Sequence, residues 1–452
     1  MEIEVIRTEG LGDSTYVLIH EGQAIVVDPQ RDIDRFEAVL DRFEADLLFV
    51  FETHLHNDYI SGGRDLVRAL GGEHVMPSGA APAFRCRPAF HMEDLEAGSM
   101  SIRPIHTPGH TPEHMSYLVL EDGKPVTLFS GGSLLVGSAG RSDLLGMERA
   151  DTLARLQYGT VHRLADLPDP VGLYPTHGSG SFCTTSQASS HTSTIGAEKV
   201  SNPVLAYADE DSFVEGQLSG LVPYPAYYRH MGPSNIAGVD PPGRFDVEEI
   251  DEASYATLET EVHVVDARPK SEYAAGHLAG SLAIELRDDF AIWVGWILPF
   301  NSPLVLVLNP TQVLEEPLRQ LARIGFDEVR GVIRDLDSWN LPLESFPATI
   351  TEEFADAIVA GAQVLDVRAP NEWEHGVIHD SALRYVPDIV TDVPADLDKD
   401  QPVWVACGTG YRANLAASLL EARGYRPIVL TNAGVTDVLS NLSKKGKDQQ
   451  TR

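Results

Sequence analysis

The sequence predicts a multidomain protein of mixed α/β type: a layered unit over residues 1–240, then two copies of a smaller α/β unit over residues 246–345 and 346–452. Three observations carry this reading. Short apolar runs such as "STYVLIH", "QAIVVD" and "DLLFVFE" alternate with amphipathic stretches such as "DIDRFEAVLDRFE" through the first part of the chain, the periodicities of buried strands and surface helices. "GVDPPGRFD", at 238–246, combines glycine with a proline pair where that pattern changes, and reads as a linker. Beyond it, "VVDARPKSEYAAGHLAGS" from Val264 is answered by "VLDVRAPNEWEHGVIHDS" from Val364. Each copy continues into an apolar strand, a short loop and a helix, the parts of a parallel α/β unit.

Composition narrows the function. The chain has 452 residues and a formal net charge of -33, so no basic face is expected for phosphates, and nucleic acid and anionic membranes are excluded as partners. The N-terminus is acidic where a secretory signal is basic, and "AIWVGWILPF" is too short to cross a bilayer. A cytoplasmic protein is expected. Cys86, Cys183 and Cys407 form no disulfide framework and no CxxC pair, so a cysteine that matters should be a reduced thiol.

The most legible chemistry lies in "VWVACGTGYRANLAASLLEARG". A strand delivers Cys407 into a loop of Gly408, Thr409, Gly410 and Tyr411, and a helix is expected to begin near Arg412. Loop N–H groups and a helix N-terminus aimed at one sulfur favour an anion, so Cys407 is read as a nucleophile or persulfide carrier and Arg412 as its supporting cation. The equivalent loop of the first copy is "LNPTQVLEE", with Asn309 read at the cysteine position. That copy should carry no sulfur.

A second constellation uses histidine. "THLHNDY" places His54, His56 and Asp58 after an apolar strand, where alternate side chains of an extended segment share a face. "HTPGHTPEH" adds His110 in a turn, and "LYPTHGSGS" adds His177 after another strand. Imidazoles and a carboxylate on loops after strands suit a shared metal ion. His74, His91, His106 and His114 are assigned to structure or surface.

The Cys407 loop, the segment Asp366-x-Arg368 and the repeat length resemble rhodanese domains, which pass sulfane sulfur through a cysteine persulfide. The order of the histidines resembles the metallo-β-lactamase fold, so the first unit is expected to be a four-layer αββα domain. More narrowly, "TPGHTPEHMSYLV", "GRSDLL", "YPTHGSGSFC" and "STIGAEKVSNP" resemble persulfide dioxygenases fused to rhodanese repeats. That resemblance implies one non-haem iron held by two histidines and an aspartate, and oxidation of a low-molecular-weight persulfide such as glutathione persulfide.

The departures from this family fall on its metal site. Gly132, in "FSGGSLLVG", stands where the family has its aspartate ligand, and Tyr59 replaces the last histidine of the motif. A facial triad for ferrous iron needs that carboxylate. What remains on the family pattern is His54, His56 and His110, a trio for one zinc or iron ion. Gly132 should leave a gap for water, and Gly132→Asp is expected to raise iron affinity. Tyr59 is expected to bond a metal-bound water, with phenolate ligation as the alternative.

Three functions follow. The first is a sulfur-handling enzyme acting on a small thiol persulfide or thiosulfate, with transfer through Cys407. The second is a mononuclear zinc thioester hydrolase of glyoxalase II type. The third is a metal-free first unit serving as a scaffold beside an active rhodanese. Metal identity, thiol carrier, sulfur acceptor and self-association into homo-oligomers stay open at this level.

Overall fold

The structure, a computed structural model, describes residues 1–184, 188, 190–219, 221–243 and 245–450. The chain divides into two compact units, Met1–Gly243 with Arg319–Asp327, and Arg244–Leu318 with Glu328–Arg452.

The first unit is a sandwich of two six-stranded sheets. One sheet runs in the order Glu2–Thr8, Asp13–His20, Gln23–Val27, Asp46–Phe51, Glu73–Pro77 and Arg87–Ala89. The other runs Ser193–Thr194, Gly172–Pro175, Lys124–Gly131, Met115–Glu121, Met100–His106 and Leu95–Ala97. Period-two alternation decides what each face touches. In Asp13–His20, Tyr16 and Leu18 point between the sheets and pack with Phe51, Tyr117 and Phe129. Val17 and Ile19 point outward, against Phe36 and Leu40 of the helix Asp34–Phe43 and Leu66 of the helix Gly63–Leu70. On the far sheet Leu118, Leu120 and Leu128 meet Ala154, Val161 and Leu164 of the helix Met147–Ala165. Helix, sheet, sheet, helix is the αββα layering expected from the sequence.

The second unit holds two parallel sheets whose registers correspond at an offset of about 100 residues. In the first, His263–Asp266 lies between Leu282–Ala283 and Leu304–Val307, with Val329–Ile333 beyond. In the second, Gln363–Asp366 lies between Ala382–Leu383 and Pro402–Ala406, with Arg426–Leu430 and Ala348–Thr349 beyond. Each central strand ends on a buried aspartate locked to the arginine two residues later. Arg368 donates from Nε and Nη2 to Asp366 at 3.0 and 2.7 Å and from Nη2 to the Gly376 carbonyl at 2.7 Å. Arg268 does the same with Asp266 at 2.9 and 2.6 Å and the Gly276 carbonyl at 2.8 Å.

The register corrects one expectation. Asp366 pairs with Ala406, and Asp266 with Val307. The counterpart of Cys407 is therefore Leu308, not Asn309, which falls opposite Gly408. The loop sequences, having little in common, hid a one-residue slip that the ladder reveals. The helix after the cysteine loop also starts one residue earlier than expected, at Tyr411, because Gly410 adopts φ 87° and serves as its N-cap.

Removing one member of a buried ion pair leaves the other uncompensated, at a cost of about 3–5 kcal/mol. Arg368→Met should destabilise the C-terminal unit by about that amount in urea unfolding followed by tryptophan fluorescence.

Candidate functional sites

In the first unit, the loops after several strands bring His54, His110 and His177 together, and one ring nitrogen of each lies within 4.8 Å of the others. Hydrogen bonding fixes which nitrogen that is. Thr53 Oγ1 donates to Asp28 Oδ2 at 2.7 Å, so towards His54 Nδ1, 2.9 Å away, it can only accept. His54 therefore carries its proton on Nδ1. His110 Nδ1 donates to the Arg141 carbonyl at 2.7 Å, and His177 Nδ1 to Asp13 Oδ1 at 2.8 Å. Each ring is left with an Nε2 lone pair. His54 and His177 bring theirs to 3.3 Å, and the buried Nε2 of His110 has no protein partner. Lone pairs face each other at that distance favourably only around a cation or a proton. Burial first, then the neighbouring imidazoles, hold His54 and His110 well below the ordinary histidine range; burial likewise lowers His177. Neutral imidazoles are the form that binds a metal.

His56 presents its other nitrogen: Nδ1 is buried without a protein partner, and His56 groups both with Asp28 and His54 and with Asp58 and His177. Its Nε2 lies 3.1 Å from Asp28 Oδ1, 3.1 Å from the Tyr59 hydroxyl and 3.3 Å from Glu52 Oε2. Burial opposes its charge, but Asp28 and Glu52 outweigh that and raise it well above the usual value. Its Nε2 therefore carries a proton towards Asp28, which leaves the buried Nδ1 as the nitrogen able to face an ion. Tyr59 donates to the Asp28 carbonyl at 3.2 Å, and burial, then Asp28 and Glu52, push its hydroxyl well above its ordinary value. A phenolate ligand is thereby disfavoured.

Asp58 lies on the far side, its Oδ2 3.4 Å from His177 Nδ1 and 3.7 Å from the Cys183 sulfur. Burial and then the charge of Asp13 push Asp58 up to about 8, while burial pushes Asp13 up to about 7. The two acids compete for one proton.

Gly132 leaves no gap for water. A Cβ there would stand 2.3 Å from His110 Cδ2, because the imidazole fills the space. His114, assigned to structure from sequence, does hold the glycine: its Nε2 accepts from Gly132 N–H at 2.9 Å, and burial lowers it to about 3. Sequence reasoning also missed Asp28. The signal was an acid ending the apolar run "AIVVD", and Asp28 adopts φ 56°, a backbone state that few non-glycine residues take without a purpose.

In the second unit Cys407 is 1% exposed and accepts from Gly410 N–H at 3.1 Å. Arg412 stands over Gly408 and pairs with Glu372, Nη2 to Oε1 at 2.9 Å. Burial works against the Glu372 charge, but Arg412 outweighs it and lowers the carboxyl. In the first copy Glu272 instead receives the Asn309 amide at 3.1 Å, and Asn309 Oδ1 closes its own loop through the N–H of Thr311 at 3.0 Å and of Gln312 at 3.2 Å. Leu308 there is fully buried.

Residues 8–177 match the family described as the metallo-beta-lactamase superfamily, and residues 351–441 match the rhodanese-like domain. A probable polyketide biosynthesis zinc-dependent hydrolase, BaeB, of Bacillus velezensis is 31% identical over 189 residues, which span 40% of this chain and 80% of that protein. The chain belongs to the metallo-beta-lactamase superfamily. It carries a C-terminal rhodanese domain as well. A hydroxyacylglutathione hydrolase-like protein of Mus musculus is 30% identical over 182 residues, 39% of this chain and 61% of its own. Among solved structures, a metallo-beta-lactamase from Staphylococcus aureus superposes with a TM-score of 0.68 at 26% identity, covering 74% of this chain and 99% of its own. That is more of the chain than the first unit contains. Among the described residues no helix is long and apolar enough to cross a membrane.

Protein purified without a metal-affinity tag should carry at most one ion per chain by elemental mass spectrometry. His110→Ala and His177→Ala should lose most of it. Gly132→Asp should lower metal content rather than raise it, since its Cβ displaces a ligand ring. Two fully occupied ions per chain would contradict this arrangement.

The Glu372 carboxyl is lowered in the folded state, so the stability it contributes is present above the unfolded value of about 4.3 and is lost as pH falls through the lowered one. The gap in thermal midpoint between wild type and Glu372→Gln should hold steady between about pH 6 and 8 and shrink below about pH 4.

Proposed function

We propose that the protein is a sulfur-handling enzyme that accepts sulfane sulfur from a small persulfide or thiosulfate at Cys407 and passes it to a thiol. The observation that carries this reading is the Cys407 loop: a buried sulfur bonded by the Gly410 N–H at the start of the helix Tyr411–Glu421, beside the Arg412–Glu372 pair. A donor anion gives its outer sulfur to the Cys407 thiolate and leaves as sulfite or as a thiolate, and an acceptor thiolate then takes that sulfur. The Gly410 N–H stabilises negative charge on Sγ in both half-reactions. The 246–345 copy is read as a second rhodanese-like domain without chemistry, since Leu308 and Asn309 offer neither nucleophile nor cradle.

For the first unit we favour a mononuclear site held by His54, His110 and His177. Three neutral imidazoles without a carboxylate suit zinc better than ferrous iron, which supports thioester hydrolysis of glyoxalase II type over persulfide oxidation for this unit. Relatives named as hydrolases point the same way. A bound zinc supplies a hydroxide near neutral pH. The chain's own part is to present three Nε2 lone pairs, to fix them through Thr53, the Arg141 carbonyl and Asp13, and to keep the pocket dry.

Incubation with thiosulfate should add the mass of one sulfur atom to the Cys407 peptide and support transfer to cyanide. Cys407→Ser should abolish both, while Cys86→Ser and Cys183→Ser should leave them largely intact. Full transfer by Cys407→Ser would overturn the assignment.

A further inference from the structure

The second unit contains a cavity of about 440 Å³ walled by both copies of the repeat, with Lys270, Ser271 and Glu285 from the first, Phe346 from the connection, and Thr431 and Asn432 from the second. Its size falls within the roughly 300–1,000 Å³ of small-molecule sites. The cavity adjoins the sulfur loop. Lys270 Nζ lies 3.3 Å from the Thr409 carbonyl, and a Cβ on Gly410 would lie 3.1 Å from Thr431 Cα and 3.3 Å from Asn432 N. The loop is tied to the first copy in other ways. Asn414 donates to the Lys270 carbonyl at 3.3 Å, and the Arg287 guanidinium lies 4.3 Å over the Tyr411 ring.

Among the described residues two charges in this wall have no counter-ion: the Lys270 ammonium bonds the Thr409 carbonyl and no carboxylate, and the Glu285 carboxylate has no ion-pair partner. In a chain with 67 acidic and 34 basic side chains, an ammonium that faces a cavity and no carboxylate is uncommon. One cation and one anion on the wall of a small cavity match a ligand carrying both a carboxylate and an ammonium group. A ligand bearing only negative charge would be repelled by Glu285, and one bearing only positive charge by Lys270.

We propose that this cavity is the acceptor subsite for Cys407 and that it selects a small amino-acid thiol, holding the carboxylate at Lys270 and the ammonium at Glu285. The proposal rests on the transferase reading above and names its acceptor class. In the step, the acceptor thiolate attacks the outer sulfur of the Cys407 persulfide. A new S–S bond forms, the Cys407 Sγ–S bond breaks, and its electron pair stays on Cys407 as thiolate. The acceptor leaves as a persulfide, and no external oxidant or reductant takes part. The first copy, with no nucleophile of its own, would then contribute recognition to the second.

The test loads full-length protein with thiosulfate, verifies the added sulfur on Cys407 by mass, and measures transfer to four thiols: L-cysteine, 3-mercaptopropionate, cysteamine and 2-mercaptoethanol. Wild type should show its lowest KM for L-cysteine. Lys270→Ala should raise KM for L-cysteine and 3-mercaptopropionate several-fold more than for the other two. Glu285→Gln should do so for L-cysteine and cysteamine. A merely structural role for either residue would lower kcat for all four thiols alike, and that outcome, or equal KM values across the thiols in wild type, would overturn the proposal while leaving Cys407 as the carrier. Failure of Cys407 to gain sulfur would instead overturn the transferase reading on which it stands.

Discussion

The histidine site depends on one buried carboxylate. Asp28 accepts from the Thr53 amide at 2.7 Å, from the hydroxyls of Thr53 and Thr176, and from His56. Those residues follow the strands Asp46–Phe51 and Gly172–Pro175, one from each sheet. Its φ of 56° turns the chain sharply at the end of a third strand. Burial opposes the charge on Asp28, yet His56 and these donors hold it below its ordinary value. A fixed negative centre decides the protonation of its surroundings: it takes the Thr53 hydroxyl proton, which sets the tautomer of His54, and it keeps the His56 proton in place. Two histidines two residues apart are thereby fixed in opposite tautomers, His54 with its proton on Nδ1 and His56 with one on Nε2.

A comparable lock organises each copy in the second unit. The aspartate that ends the central strand holds an arginine, the arginine holds a glycine carbonyl eight residues on, and a glutamate four residues after the arginine reaches the segment after the neighbouring strand, at Asn309 in one copy and at Arg412 in the following helix in the other. The frame is the same in both copies. What differs is the loop it grips: one that bonds its own backbone through Asn309, and one that leaves a sulfur facing an N–H donor.

The layering, the repeat and the Cys407 loop were readable in the sequence because each has a local signature. Alternation, a 100-residue echo and a glycine-bracketed cysteine before a helix all lie within short windows. The candidate metal site was readable only in its cast. His54, His110 and His177 could be picked out, but which nitrogen each presents depends on Asp28, Asp13 and the Arg141 carbonyl, brought in from distant segments. The same limit explains His56, whose Nε2 is taken by Asp28 and whose Nδ1 alone is left without a partner. It explains Gly132, where the missing side chain suggests room until His110 is seen to fill it. It explains Leu308, since loop alignment without the strand ladder has no fixed origin.

The burial of Cys407 bears on what the sulfur can meet. A side chain only 1% exposed, beneath the Arg412–Glu372 pair, is sheltered from folded proteins whose cysteines lie on broad surfaces. Collision partners are sieved by girth before chemistry begins. A sulfur so enclosed leaves little surface for a broad partner to touch. On the proposed reading, the same seclusion would favour a small sulfur carrier over thiols on macromolecules.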